Sequence, residues 1–191
     1  MQSKKMSIFL GFFPDNESKD EIVTVTESVK EIFKDFGIDV RWSNPKTYHC
    51  TLLFVGNKVS PILLAIYKLY LKKFTFKKFT VKFNSVKLGI SRKYRELIYL
   101  DLLEGGEQMR EIYLQLKHLL KNKTDVHFIP HLTLGRVNKD LTQQESINIA
   151  KDLVNVSKRT NVNKISFEVQ SIDLVKSEDG VYTVQMSITG S

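Results

Sequence analysis

The chain of 191 residues carries one tetrad twice, and this repeat constrains its fold more than any other feature. His-X-Thr-Leu stands at residues 49–52 and again at residues 131–134, each time inside a β-rich run. Residues two apart in a strand project to the same face of a sheet. In each tetrad the histidine and the threonine therefore share one face, whereas the second and fourth residues point the other way. The repeat predicts two strands, each with a polar face and an apolar face.

The elements around the two tetrads follow the same order. The first half predicts a strand at 7–13 and then a helix that has capping-box spacing at Ser18 and Glu21 and ends at Gly37. Two β-rich runs follow at 38–42 and 48–55, separated by Asn44-Pro45. A helix from Ser60-Pro61 to about Lys73 and a strand at 79–83 complete this half. The second half predicts a strand at 96–102, a break at Gly105-Gly106 and a helix over 109–119, the second tetrad strand, a helix from Thr142 to about Val156, and strands at 165–175 and 181–188 joined by a hairpin at 177–180. Both halves thus have the order strand, helix, tetrad strand, helix, strand, as an internal duplication would.

This order predicts an α+β fold over residues 1–191 as a single bilobal domain. Two pseudo-symmetric lobes, each with a largely antiparallel sheet and outer helices, would enclose a central cleft. A pseudo-two-fold axis between the lobes would bring equivalent strands to that cleft. His49 is then expected to lie opposite His131.

Charge and the apolar pattern indicate the compartment and the partners. Lys and Arg outnumber Asp and Glu by 29 to 21, and the net charge of +8 favours anionic partners. The single cysteine, Cys50, rules out an internal disulfide framework. The apolar run at 6–13 is short and lacks a small-residue cleavage site, and no stretch reaches the roughly 18 apolar residues of a membrane span. We expect a cytoplasmic protein with no membrane contact, and a monomer because one chain supplies both tetrads.

Two opposed histidines suit the cleavage of a phosphodiester. Their unperturbed pKa of about 6.5 allows one ring to be neutral and the other cationic near neutral pH. One imidazole would take a proton from water while the other gives a proton to the departing oxygen. The hydroxyls of Thr51 and Thr133 would hold the non-bridging phosphate oxygens. This chemistry requires no metal and no cofactor.

The chain resembles the 2H phosphoesterases, and most closely their RNA 2′,3′-cyclic phosphodiesterase branch, historically called 2′-5′ RNA ligases. The resemblance rests on Ile8-Phe9-Leu10-Gly11, Val40-Arg41-Trp42, the run from Tyr48 through His49-Cys50-Thr51-Leu52 to Gly56, the run from Pro130 through His131-Leu132-Thr133-Leu134 to Val137, and Tyr182-Thr183-Val184. It implies a bilobal α+β fold with one tetrad in each lobe. It also implies hydrolysis of RNA or nucleotide 2′,3′-cyclic phosphate ends.

By this resemblance His49 would be the proton donor, His131 the proton acceptor, and the product a 2′-phosphomonoester. Arg136 matches a basic residue often found after the second tetrad and would contact the phosphate, although regular strand parity points it away from the cleft. Two positions depart from the family pattern. Cys50 stands where an aliphatic residue is common, and residues 122–128 lack the arginine usually found before the second tetrad.

Several other interpretations of the sequence remain as alternatives. The substrate could be a 2′-5′ oligonucleotide or a cyclic phosphate of a small metabolite, because the tetrads handle the phosphate and not the base. A non-catalytic RNA-binding module would use the basic and aromatic residues at 72–79 and 87–95, which otherwise form a solvated charged face. A zinc pair at His127 and His131 conflicts with Pro130, and a thiol nucleophile at Cys50 would face away from His49.

Overall fold

The computed structural model describes residues 6–89, 96–123 and 127–191. Within them the chain forms nine strands and four α-helices. The strands are β1 (Met6–Phe12), β2 (Val40–Trp42), β3 (Cys50–Asn57), β4 (Phe79–Leu88), β5 (Leu97–Glu104), β6 (His131–Val137), β7 (Ser166–Val169), β8 (Ser171–Glu178) and β9 (Val181–Thr189). The helices are α1 (Asn16–Asp35), α2 (Pro61–Leu71), α3 (Gly106–Leu119) and α4 (Gln143–Arg159).

Local sequence signals explain where most helices begin. Ser60 caps α2, with Pro61 in its first turn. Thr142 and Glu145 form the expected capping box of α4, each side chain bonding the backbone N–H of the other. The box expected at Ser18 and Glu21 is wrong. Asp15 caps α1 instead, accepting from the Ser18 N–H at 2.8 Å, so Ser18 lies inside the first turn.

The strands form one continuous sheet in the order β7-β4-β5-β6-β3-β1-β8-β9, and β2 also pairs with β6. At its centre β3 and β6 are joined through a single antiparallel pair, Cys50 with Leu132. On one side of this seam lie β4, β5, β6 and β7, and on the other lie β1, β3, β8 and β9. All the pairings are antiparallel. The expected α+β architecture with two lobes is confirmed.

Each half of the chain gives the strand or strands at its end to the lobe built around the other half. β4 follows the first tetrad but pairs with β5, and β8 follows the second tetrad but pairs with β1. This exchange corrects the prediction of one strand at 165–175. That stretch is interrupted at Gln170, so that β7 pairs with β4 at one edge of the sheet while β8 pairs with β1 in the other lobe. The exchanged strands tie the two lobes together.

The apolar face of the sheet is the core. Cys50, Leu52, Leu132 and Leu134 from the tetrad strands are all buried in it, as the alternation of the tetrads predicts. Helices α1 and α4 contribute rows of buried aliphatic side chains to the same core. Among the helices of the described residues, none combines the length and apolar character needed to cross a bilayer.

Candidate active site at the seam between the lobes

The first tetrad begins where a short 3₁₀ turn, Pro45–Thr47, delivers the chain to β3. Tyr48 follows this turn with its ring buried and its hydroxyl 3.0 Å from the hydroxyl of Thr26 on α1. This contact anchors the chain directly before His49. The Nδ1 of His49 lies 2.8 Å from the carbonyl oxygen of Thr47, two residues earlier.

The second tetrad reproduces this arrangement. The Nδ1 of His131 lies 2.7 Å from the carbonyl oxygen of Ile129, also two residues earlier, across the buried Pro130. A carbonyl oxygen only accepts, so Nδ1–H is the donor in both rings. This hydrogen bond fixes the tautomer and the orientation of each neutral ring and leaves Nε2 with its lone pair. Both histidines are therefore prepared in the same way to exchange a proton at Nε2.

The Cys50–Leu132 pair at the seam brings the tetrads together. Antiparallel pairing around it sets His49 level with Thr133, and Thr51 level with His131. The paired Cys50 and Leu132 side chains are buried, while the histidines and threonines are half-buried on the other face. The expectation that the two tetrads face a common cleft agrees with this geometry.

The two histidines differ in the aromatic residues around them. The ring of His49 packs against Phe9 at 4.8 Å, Tyr182 at 5.3 Å and Phe13 at 6.1 Å between ring centroids. His131 meets the edge of Tyr99 at 5.8 Å. The surroundings of His49 are thus the more apolar of the two.

Burial lowers the pKa of both histidines below the usual value of an imidazole. For His49 the hydrogen bond to Thr47 opposes the effect of burial, and the charge of His131 adds to it. For His131 the hydrogen bond to Ile129 opposes it, and the charge of Arg136 adds to it. Both rings are therefore neutral at neutral pH before any ligand binds.

A β-bulge brings Arg136 to the face that carries the second tetrad. Thr133 pairs with Tyr99 on β5 and Gly135 with the adjacent Ile98, so Leu134 is an extra residue in β6. The extra residue reverses the parity of the strand, and Arg136 shares the face of Thr133. Its guanidinium donates to Glu96 at 2.8 Å. Regular alternation had pointed Arg136 away, and the bulge is the physical reason that it does not point away.

The first tetrad contains the same bulge, which exposes a residue that the sequence analysis missed. Leu10 of β1 pairs with Leu53 and the next residue, Gly11, pairs with Thr51, so Leu52 is the extra residue. Phe54 thereby joins the face of Thr51 and is 44% exposed. Phe54 and Arg136 each stand five residues after a tetrad histidine, and that shared spacing was the available signal.

Asp101 is a second residue that the sequence did not single out. It pairs with His131 across β5 and β6, and its carboxylate accepts from the N–H of Ser85 at 2.8 Å and forms an ion pair with Lys87 at 2.5 Å. Asp101 also lines a pocket of about 660 Å³ that includes Tyr99 and Pro130. This pocket adjoins the second tetrad at the end of β5, and none of the tetrad residues lines it.

The remaining candidates do not join the cleft. Cys50 is buried, and burial raises the pKa of its thiol well above the usual range. His118 lies on the exposed side of α3. In the part of the chain that the structure describes, no three His, Cys, Asp or Glu side chains converge as metal ligands. The basic residues Arg92, Lys93 and Arg95, candidates for an RNA path, lie outside the described residues.

No protein-family model and no curated protein sequence matches this chain. Solved structures do. LigT from E. coli in complex with 3′-AMP superposes with a TM-score of 0.71 at 15% identity, covering 98% of this chain and 99% of LigT. TT0787 of Thermus thermophilus gives 0.70 at 17% identity, covering 96% and 97%. A structure described as a phosphoesterase gives 0.68 at 15% identity, covering 97% and 99%.

These likenesses define the class of the fold. Along nearly its whole length the chain has the bilobal α+β fold of LigT and TT0787. The resemblance inferred from the sequence is thus confirmed at the level of the fold. The chemistry of the site is a separate question, because identities of 15–17% carry the architecture and not the activity.

Proposed function

We propose that this chain is a 2H phosphoesterase that hydrolyses 2′,3′-cyclic phosphate ends of RNA or nucleotides to 2′-phosphomonoesters, without a metal or cofactor, as a cytoplasmic monomer. The observation that carries the proposal is the pair of imidazoles at the seam, each held by a hydrogen bond from Nδ1 so that Nε2 is the reactive nitrogen. The likeness of the fold to a phosphoesterase and to LigT, which has been solved with 3′-AMP and with ATP, agrees with it.

In the proposed reaction His131 is the proton acceptor and His49 the proton donor. Water attacks the phosphorus atom and gives a proton to Nε2 of His131. The bond between phosphorus and the 3′-oxygen breaks, and His49 protonates that oxygen as it leaves. The 2′-oxygen keeps the phosphate, so the product is a 2′-phosphomonoester with a free 3′-hydroxyl.

The surroundings of the two rings support this division of roles. The positive charge of Arg136 lowers the pKa of His131 and favours its neutral form, which is the form a base requires. The anionic phosphate would favour protonation of His49, whose aromatic neighbours supply no cation of their own. Binding of the substrate is then accompanied by uptake of one proton.

The product of the reaction tests the proposal directly. We expect the purified protein to open 2′,3′-cyclic nucleotides and RNA with cyclic phosphate ends in the presence of a chelator, and to release only 2′-phosphates. A 3′-phosphate product would reverse the roles of His49 and His131. Activity restricted to 2′-5′ oligonucleotides or to a metabolite cyclic phosphate would assign the site to those substrates. RNA binding that falls steeply with salt but persists after both histidines are replaced, without turnover, would indicate a binding module instead.

The pH dependence of kcat/KM is expected to reach its maximum below pH 6.5. Catalysis requires one protonated and one neutral imidazole, and burial lowers the pKa of both. A lowered pKa means that the donor loses its proton at a lower pH, so the rate falls as the pH rises toward neutrality. The apparent pKa values of the acid and alkaline limbs of the pH profile describe the coupled pair of histidines rather than either ring alone. Rates measured from pH 4 to 9 with a cyclic nucleotide check this, and a maximum above pH 6.5 would contradict it.

Replacing Arg136 by glutamine is expected to lower kcat/KM by about tenfold or more, since it removes a charged partner of the phosphate. It should also move the acid limb of the pH profile to higher pH, because the charge of Arg136 lowers the pKa of His131. Arg159→Gln, at the exposed end of α4, is the matched control and should change neither quantity. If Arg136→Gln lowers kcat/KM but leaves the acid limb of the pH profile in place, Arg136 does not influence the pKa of His131.

Thr51→Val and Thr133→Val remove a hydroxyl while keeping the β-branched shape. We expect each to lower kcat by about 10²-fold, the usual cost of one donor to a developing oxyanion. Serine at either position should restore most of the rate. The control Thr24→Val, on the exposed side of α1, should leave kcat unchanged. Wild-type rates in both valine variants would exclude the threonines from the phosphate site.

A further inference from the structure

Helix α2 presents an apolar surface to solvent. After Pro61, its exposed side chains are Ile62, Leu63, Ala65, Ile66, Leu69 and Tyr70. At 100° per residue they form one continuous stripe along the helix, and Ile62 is 76% and Leu69 59% exposed. The opposite side, with Leu64, Tyr67 and the buried Leu71, packs on the core. Surface helices normally turn a polar face outward, so α2 has the surface of a helix with a second partner.

The segment that contains α2 is also strongly basic. Between Asp39 and Glu96 the sequence has no acidic residue and thirteen Lys or Arg. Lysines stand at both ends of the helix, with Lys58 before it and Lys72 and Lys73 directly after it, and all three are exposed. The apolar stripe is therefore bounded by positive charge at each end.

We propose that α2 docks this protein on the surface of an anionic lipid bilayer. The aliphatic stripe would enter the boundary between headgroups and acyl chains, and the lysines would reach the acidic headgroups with their stems along the apolar surface. Tyr70, at the edge of the stripe, has the ring and hydroxyl of a residue that lies at the interface. Eleven residues are too few to cross a bilayer, so the contact is peripheral.

Charge and composition favour a bilayer over other occupants. A second copy of the chain, docked symmetrically through α2, would set the lysines at the ends of one helix against the lysines of the other in either orientation, because Lys58 stands at one end and Lys72 and Lys73 at the other. Protein partners select Arg and disfavour Lys at their interfaces, whereas the charges at the ends of this helix are all lysines. RNA would engage the lysines but would leave Ile62 and Ile66 uncovered.

This proposal does not rest on the phosphodiesterase activity. It also revises the expectation of no membrane contact, which was based on the lack of a spanning segment. A peripheral helix leaves the catalytic cleft unchanged. Variants of α2 should therefore lose binding to the bilayer and keep the phosphodiesterase activity.

Sedimentation of the purified full-length chain with vesicles tests the proposal. We expect the protein to sediment with phosphatidylcholine vesicles that contain about one third phosphatidylserine, not with pure phosphatidylcholine, and less in about 0.5 M salt. Ile62→Ser with Ile66→Ser should weaken binding by at least about tenfold. Lys72→Gln with Lys73→Gln should weaken it by about fivefold per lysine. Leu114→Ser, at a 61% exposed leucine of α3, and Lys151→Gln on α4 are the matched controls and should bind as wild type.

Two results would overturn the proposal. One is no binding to the anionic vesicles, or binding that the Ile62 and Ile66 substitutions leave intact. The other is a dimer in sedimentation equilibrium that these substitutions abolish, which would assign the face to a second copy. All the replaced side chains are exposed, so the unfolding curves of the variants should match that of the wild type. A loss of binding could then not be attributed to unfolding.

Discussion

Alanine in place of His49 or His131 is expected to lower kcat for 2′,3′-cyclic nucleotide hydrolysis by about 10²- to 10⁴-fold, the usual contribution of one proton transfer. Both rings lie on the half-buried face of the seam, so their removal takes away a reacting group and little of the core. The double variant should lose little more than either single one, because the two transfers act in one step. Steady-state rates with a chelator present measure all three variants.

The matched control for these variants is His118→Ala. His118 is the same residue type on the exposed side of α3, away from the seam, and its loss should leave kcat unchanged. Urea unfolding should give each active-site variant a stability close to that of wild type. Wild-type turnover in either His49→Ala or His131→Ala would exclude the paired-histidine mechanism.

The parts of the site that follow strand alternation could be predicted from the sequence. His49 with Thr51, and His131 with Thr133, share a face because residues two apart must do so in a strand. The burial of the intervening Cys50 follows from the same rule. Within one tetrad, the sequence is therefore sufficient to predict which side chains face the cleft and which face the core.

The residues beyond each tetrad could not be placed, because a bulge leaves no sequence signature of its own. Leu52 and Leu134 are the extra residues, and each reverses the parity of its strand, so that Phe54 and Arg136 share the face of the tetrad threonine. Strict period-two alternation therefore assigned Arg136 to the wrong face and passed over Phe54. Both leucines are buried, so the bulge keeps the core filled while it turns a new side chain toward the cleft.

The exchange of strands between lobes was also beyond prediction from the sequence. Alternation indicates that residues 165–175 are strand, but it does not say which neighbour a strand takes. Gln170 separates β7 from β8 without a Gly or Pro to mark the break. Partner choice is set by long-range packing, and here it places two strands nearly continuous in sequence in opposite parts of the sheet.

Gly11→Ala is expected to damage stability and activity together. Gly11 of β1 pairs with Thr51, and a Cβ at this position would lie 2.5 Å from the carbonyl oxygen of Cys50. That oxygen belongs to backbone at the seam, so the strands must move apart rather than a side chain rotate. Overpacking of this kind costs about 1–3 kcal/mol of the free energy of unfolding.

The activity should fall because β1 and β3 carry the first half of the site. A displacement of β3 moves Thr51 and His49 relative to His131, and a misplacement of about 1 Å can cost about 10²-fold in rate. Gly106→Ala is the matched control. Gly106 is the first residue of helix α3, and a Cβ there would meet nothing closer than 3.6 Å. It should keep wild-type kcat/KM and unfold at the same or a slightly higher urea concentration. If Gly11→Ala keeps wild-type stability and kcat/KM, the close approach of β1 to the seam does not position the first tetrad.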